Sequence, residues 1–228
     1  MKKILVIAAH PDDEILGCGA TLLYYKKLGY SIKVIFLSDG ESSRNLKKNE
    51  KKKLIKLRSD QAKKVSKISN FLKPEFINYP DNQLDTIPIL KIVQKIEKEI
   101  IRFKPSIIFT HYENDLNVDH QIAFKSVLTA TRPKSKSFVR KIYCFEIPSN
   151  TDFSFKKNKN KIFAPNFYVN IEKYLKKKLE LLRIYSGEMK RWPHQRSIKG
   201  IKVISNYRGS QIGVKNAEAF ICIRNLEN

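Results

Sequence analysis

Cysteine is scarce in this chain: Cys18, Cys144 and Cys222 are far apart and odd in number. They supply neither a disulfide framework nor a Cys-x-x-Cys metal pair, so reduced, mostly buried thiols are expected. Long apolar runs are missing too. Nothing approaches the roughly 18 residues of a spanning helix, and Ile4 to Ala9 is too short for the core of a signal peptide; a cytoplasmic chain without a transmembrane segment is expected. No Pro- or Gly-rich linker, internal repeat or second hydrophobic core divides the 228 residues, which read as a single domain, 1–228. Acidic residues are few, with 22 Asp+Glu against 45 Lys+Arg and a net charge of +23. That excess is the footprint of a nucleic-acid or anionic-membrane binder. The basic residues are mostly lysines spread along the whole chain, however, and no nucleic-acid motif accompanies them. A solvated lysine surface is the leading expectation, with a functional anion-attracting surface as the other. The 42% hydrophobic content excludes a wholly disordered chain.

What is present alternates. Ile4 to Ala9 is a buried strand that stops at a His-Pro step. A helix follows, with Leu16, Ala20, Leu23, Tyr24 and Leu28 at helical spacing and Gly29 as its C-cap. Ser31 to Leu37 is a second strand, emptying into Ser38-Asp39-Gly40-Glu41. Leu46 to Ile68 is a lysine-rich amphipathic helix with Leu54, Leu57, Ala62, Val65 and Ile68 turned inward. Strands at Glu75–Tyr79, Ser106–Thr110 and Lys141–Phe145 enclose helices at Ile87–Phe103 and Val118–Thr131. Beyond Glu146 the pattern weakens: Lys156 to Lys161 reads as an exposed loop, followed by a strand at Asn166–Asn170, helices at Ile171–Tyr185 and Arg196–Tyr207, and a strand at Ala217–Ile223. The alternation predicts a Rossmann-like, three-layer α/β/α fold with a mostly parallel sheet.

In such a sheet ligands bind outside the carboxyl ends of the strands. Two loops there are rich in chemistry: His10-Pro11-Asp12-Asp13-Glu14, and His111 through Asp115 and Asn117 to Val118-Asp119-His120. A catalytic zinc site needs three protein ligands and an open position, and His10, Asp13 and His120 can supply them. Asp12 would remain free to move a proton. The same residues also fit a surface histidine and a favourable charge cluster at a helix N-terminus. Spacing alone leaves both readings open.

Ala9-His10-Pro11-Asp12-Asp13-Glu14 with the later Val118-Asp119-His120 resembles the LmbE-like or PIG-L family of zinc-dependent N-deacetylases, which remove acetyl from N-acetylglucosaminyl and related groups. Arg58, Asp81, Tyr207-Arg208-Gly209 and Ala217-Glu218-Ala219-Phe220 also look like family positions. The resemblance implies a hydrolase acting on an N-acetylated amino-sugar. It implies His10, Asp13 and His120 as ligands of Zn2+, with another divalent ion such as Fe2+ as the alternative, and Asp12 as the general base. Arg58 and Asp81 would contact substrate, although a structural ion pair fits them nearly as well. Glu14 and Asp119 would support the ligands through hydrogen bonds.

One departure matters. The family's second motif usually reads His-x-Asp-His, with its first histidine assigned to the oxyanion, and here that position is Asn117. Either Asn117 donates a neutral hydrogen bond, or His111 or His194 reaches in instead. Glu41 is a candidate for substrate hydroxyls, or part of a plain turn. The run Glu188 to Arg196, with the only Trp, His194 and three cations, could be a lid stacking on a sugar and gripping an anionic portion, or a surface loop with one buried aromatic. The substrate is a small amino-sugar compound, and a homo-oligomer is compatible with the sequence. The rivals are a phosphoesterase, which needs a second ligand set, and a basic nucleic-acid binder, which lacks a motif.

Overall fold

The computed structural model describes residues 2–133, 138–154 and 162–227. Strands β1 (Lys3–Ala8), β2 (Ser31–Ser38), β3 (Glu75–Tyr79), β4 (Ile107–His111), β5 (Lys141–Phe145), β6 (Phe167–Asn170) and β7 (Ala217–Asn225) form one sheet in the order β3-β2-β1-β4-β5-β7-β6. The first five pair in parallel, and β7 runs antiparallel between β5 and β6. The expected mostly parallel α/β/α architecture is what the chain adopts.

Both layers are written into β1. Ile4, Val6 and Ala8 face a core completed by α1 (Asp13–Lys27), α2 (Lys48–Ile68), α5 (Leu175–Ile184) and α6 (Ile198–Ser210), whereas Leu5 and Ile7 face α3 (Ile89–Phe103) and α4 (Val118–Ala130). An alternating strand with both faces apolar has no solvent side and belongs at the centre of a sheet. From β1 the chain runs outward through β2 and β3, then crosses to β4 on the other side. The strand order therefore reverses between β1 and β4, and the crevice outside their carboxyl ends lies there.

Three readings of the helices need correction. In α2, Leu57 and Ile68 are 54% and 41% exposed, and the inward face is Arg58, Ala62, Val65 and Ser66. The helix is rotated to bring the Arg58 guanidinium to buried acids, and that polar demand outweighs the burial of two aliphatic side chains. Leu28, at the end of α1, is exposed as well. The last helix begins at Ile198 and not at Arg196, because Ser197 Oγ accepts the Gly200 N–H at 2.9 Å and makes Ser197 the N-cap. Arg196 is thereby left in the preceding loop. The expected loop at Lys156 to Lys161 lies outside the described residues. The cysteines are free, with Cys18 and Cys144 buried, and no helix among the described residues is long and apolar enough to cross a membrane.

A buried ion pair ties the late strands to α1. Glu218 of β7 accepts the Ala20 and Thr21 N–H groups at 3.0 and 2.7 Å and the Lys178 ammonium at 2.6 Å, while Lys178 also donates to the Leu16 carbonyl at 2.8 Å. Such close approach to α1 needs a small residue nearby. At Gly17 an added Cβ would meet the Phe145 ring at 2.3 Å. Overpacking of this kind costs about 1–3 kcal/mol. Gly17→Ala is accordingly expected to lower the unfolding free energy from urea titration by that amount, and an unchanged value would show that Phe145 has room to yield.

Candidate metal centre

The β1 strand ends at His10-Pro11, and Asp12 follows with φ 141° and ψ −27°, a conformation that non-glycine residues seldom adopt. Its cost is of order 1–3 kcal/mol, and two contacts hold it. The Asp12 carbonyl accepts the first N–H groups of α1, from Ile15 and Leu16. Glu14 Oε2 accepts the Asp12 N–H at 3.0 Å, and Glu14 is itself fixed by the Tyr185 hydroxyl donating to Oε1 at 2.7 Å. The Asp12 carboxylate is thus turned from the helix into the crevice.

His10, Asp13 and His120 converge below it, with one donor atom from each within 4.8 Å of the others. Asp13 Oδ2 lies 3.2 Å from His10 Nδ1 and 3.4 Å from His120 Nε2. Ligand bonds of about 2.0–2.2 Å in a tetrahedron imply ligand–ligand edges of about 3.3–3.6 Å, so the spacing fits such an ion. A stronger sign is His120 Nε2, buried without a hydrogen-bond partner. A buried polar atom left this way is costly unless something else satisfies it. Each imidazole also has a carboxylate on its far side, where metal-ligating histidines carry one. His120 Nδ1 lies 3.0 Å from Asp115 Oδ1, and His10 Nε2 lies 3.0 Å from Asp81 Oδ1 and 3.1 Å from Asp119 Oδ2.

His10, Asp81 and Asp119 form a second group of the right spacing, but its acids are already engaged. Asp119 accepts the Asn82 and Leu84 N–H groups at 2.8 and 2.9 Å, and Asp81 accepts from the Ser43 hydroxyl. The donor set with an unsatisfied nitrogen is the first.

The electrostatics call for positive charge. Burial would depress the His120 imidazole, but Asp115 and Asp13 overcome it and push its pKa up to about 9. Burial raises the Asp12 carboxyl to about 6 despite the opposing Arg58 charge. Burial also lifts Glu14, to about 8. Arg58 Nη2 is 3.5 Å from Asp12 Oδ1 and Arg196 Nη1 is 3.6 Å from Oδ2.

These groups open into a crevice of about 300 Å³. His10, Asp12, Asp13, Arg58, Asp81, Asn117 and His194 line it, so the structure brings most of the expected residues together. His120, Glu14 and Asp119 lie beneath the lining. Glu41 is turned away, buried with Oε2 2.7 Å from Arg44 Nε. Trp192 does not line the crevice: half-exposed, it carries the Lys199 ammonium over its ring at 4.5 Å. His111 is fully buried, stacked on His120 at 3.9 Å and accepting the Ala9 N–H on Nε2 at 2.8 Å. Sequence reasoning did not single out Asp115, Arg44, Glu188 or Arg196. Glu188 gathers three cations, with Arg58 Nη1 at 2.7 Å, Arg44 Nη2 at 2.8 Å and Arg196 Nη1 at 3.7 Å. The only sequence signal was the charged run in which Glu188 and Arg196 sit.

An open, mostly parallel sheet with a buried His/Asp donor group at its switch point is the framework of a metal-binding α/β protein. The chain belongs to the PIG-L family, described as GlcNAc-PI de-N-acetylase, whose model matches residues 5–131. It is 24% identical over 155 residues to a probable N-acetyl-alpha-D-glucosaminyl L-malate deacetylase 2 of Bacillus cereus, covering 66% of this chain and 70% of that one. It is 26% identical over 152 residues to the uncharacterized deacetylase YaiS of Escherichia coli K12, covering 65% and 75%. Among solved structures, the N,N'-diacetylchitobiose deacetylase of Pyrococcus horikoshii superposes with a TM-score of 0.77 at 20% identity, over 98% of this chain and 84% of that one. The 4-carboxy-2-hydroxymuconate hydratase GalB of Pseudomonas putida superposes equally, at 0.77 and 21% identity over 100% and 99%. The fold thus serves more than one chemistry, and the site has to decide.

Asp13→Ala and His120→Ala are expected to abolish stoichiometric uptake of one divalent ion, and Asp115→Asn to weaken it about 10–100-fold. Metal content after dialysis and competition with a chromogenic chelator measure both. Full retention by Asp13→Ala would remove Asp13 from the ligand set.

Proposed function

We propose that this chain is a metal-dependent hydrolase that removes acetyl from an N-acetylated amino-sugar, releasing acetate and a free amine, with Zn2+ as the ion and the cytoplasm as its location. The observation that carries the reading is Asp12 Oδ2. It is buried without a hydrogen-bond partner, beside a His/Asp/His donor group, in a crevice otherwise lined by hydrogen-bonding groups.

His10, Asp13 and His120 would hold the ion, which when bound supplies a Lewis acid that acidifies water and polarises a carbonyl. The rest of the chemistry belongs to the side chains. Asp12 removes a proton from water as the water oxygen bonds to the acetamide carbon. It holds that proton, sheltered by burial, and gives it to the nitrogen as the C–N bond breaks. Arg58, fixed by Glu188, keeps the Asp12 carboxylate oriented. Asp81, Asn82 and His194 offer acceptors and donors to sugar hydroxyls. A phosphoesterase is less well supported, because the second donor group shares His10 with the first and its Asp119 is spent on hydrogen bonds to two backbone N–H groups.

The test is acetate release from a panel of N-acetylglucosaminyl glycosides and sugar nucleotides. Wild type is expected to turn over at least one member, chelation to abolish turnover and added zinc to restore it. Asp12→Ala should retain metal while losing activity about 10²–10⁴-fold. An Asp12→Ala enzyme of undiminished activity would end the assignment of the base.

A further inference from the structure

Charge must appear on the amide oxygen when water adds, and two of the three residues expected from sequence to meet it, Asn117 and His111, are otherwise engaged. Asn117 caps α4: its Oδ1 accepts the Asp119 and His120 N–H groups at 2.8 and 3.4 Å, and its Nδ2 donates to Asn82 Oδ1 at 2.8 Å. His111 is sealed beneath the ligands. His194 accepts the Arg196 N–H on Nδ1 at 3.0 Å, which leaves Nε2–H as its only donor and ties the ring to the Arg196 backbone.

Arg196 is placed differently. Its Nε donates to the Pro148 carbonyl at 3.2 Å and to Ser149 Oγ at 3.1 Å, both neutral groups that fix the guanidinium plane without cancelling its charge. Its Nη1 lies 3.6 Å from Asp12 Oδ2 and 3.7 Å from Glu188 Oε2, beyond hydrogen-bond reach of either. Arg58 and Arg44, by contrast, are each bound to Glu188 at 2.7 and 2.8 Å. Arg196 is therefore the anchored cation of the lining whose Nη1 stands next to the base and is left for a third group, while Nη2 faces the Asn150 side-chain amide.

We propose that Arg196 is a catalytic residue of this site, its Nη1 donating to the oxygen of the acetamide carbonyl as that oxygen becomes an oxyanion. The inference rests on the amide-hydrolysis reading above. The water oxygen–carbon bond forms as Asp12 takes the water proton, and the carbonyl π pair moves onto the oxygen facing Arg196. That pair returns as the C–N bond breaks, the nitrogen takes the proton from Asp12, and acetate leaves. A preorganised donor aimed at developing charge lowers the barrier more than it aids substrate binding.

The experiment uses the full-length, metal-loaded protein and two variants, Arg196→Ala and Arg196→Lys, the second keeping the charge without the Nε anchor. Loss of one oxyanion donor costs roughly 10²–10³-fold in kcat. Arg196→Ala is expected to fall by that factor with KM within about threefold, and added guanidinium to recover part of kcat. Arg196→Lys should lose at least about tenfold. Methylphosphonate, a tetrahedral anion that mimics the oxyanion, should bind Arg196→Ala at least about tenfold more weakly than wild type, with metal content and thermal melt unchanged. A raised KM at constant kcat, or wild-type affinity for methylphosphonate, overturns the proposal. If wild type releases no acetate, the deacetylase reading fails by itself, and methylphosphonate binding still decides whether Arg196 serves a tetrahedral anion. Should Arg196→Ala not fold, Arg196→Lys carries the same two measurements.

Discussion

Five aspartates, Asp12, Asp13, Asp81, Asp115 and Asp119, share one rim with no more than 5% exposure each, and satisfying them is the constraint around which the chain is arranged. A buried carboxylate costs several kcal/mol unless it is paired and hydrogen-bonded. Each one therefore recruits a distant segment. Asp119 collects the Asn82 and Leu84 N–H groups and so pins the loop after β3. Asp115 takes the Thr151 hydroxyl at 2.7 Å and pins the loop after β5. Asp12 stands between Arg58 of α2 and Arg196 of the loop before α6.

The helices bend to the same demand. Two aliphatic side chains of α2 are left in water so that Arg58 can point inward. Along the first half of α1, Glu218 and Lys178 enter as a mutually neutral pair and brace the helix that carries Asp13. Asp12 itself sits in a strained backbone conformation, which persists because Glu14 and the start of α1 over-determine it.

How much of this was legible follows from the range of each interaction. The β1 strand, its His-Pro stop and the helix behind it are local patterns, and the parallel α/β/α order follows from their alternation. His10, Asp13 and His120 were legible because the strand-end rule sends their two loops to one rim whatever the details. Arg58 was found only by resemblance, since periodicity assigned its helix a different inward face; the acids that rotate the helix are remote in sequence. For Glu41 and Trp192 the sequence left two settings open, for a related reason. Polar and aromatic residues in loops take whichever partner is nearest, here Arg44 and Lys199, and no period encodes that choice. Asp115 and Glu188 lie in segments the sequence marked, but their roles were not legible, because a carboxylate that orients a cation looks the same in sequence as a solvated one.

The placement of β7 bears on how the molecule is made. It lies between β5 and β6 in the sheet, yet it follows both in the chain. During vectorial synthesis, β5 emerges with one edge unpaired, and β6 has no strand to join until Ala217–Asn225 has left the ribosome. The nascent chain thus carries an open edge at β5, of the kind that invites intermolecular pairing, while the 71 residues between Phe145 of β5 and Ala217 of β7 are made. Because Glu218 of the same strand fastens α1, the helix bearing Asp13 is braced by that contact only once this late strand has been inserted.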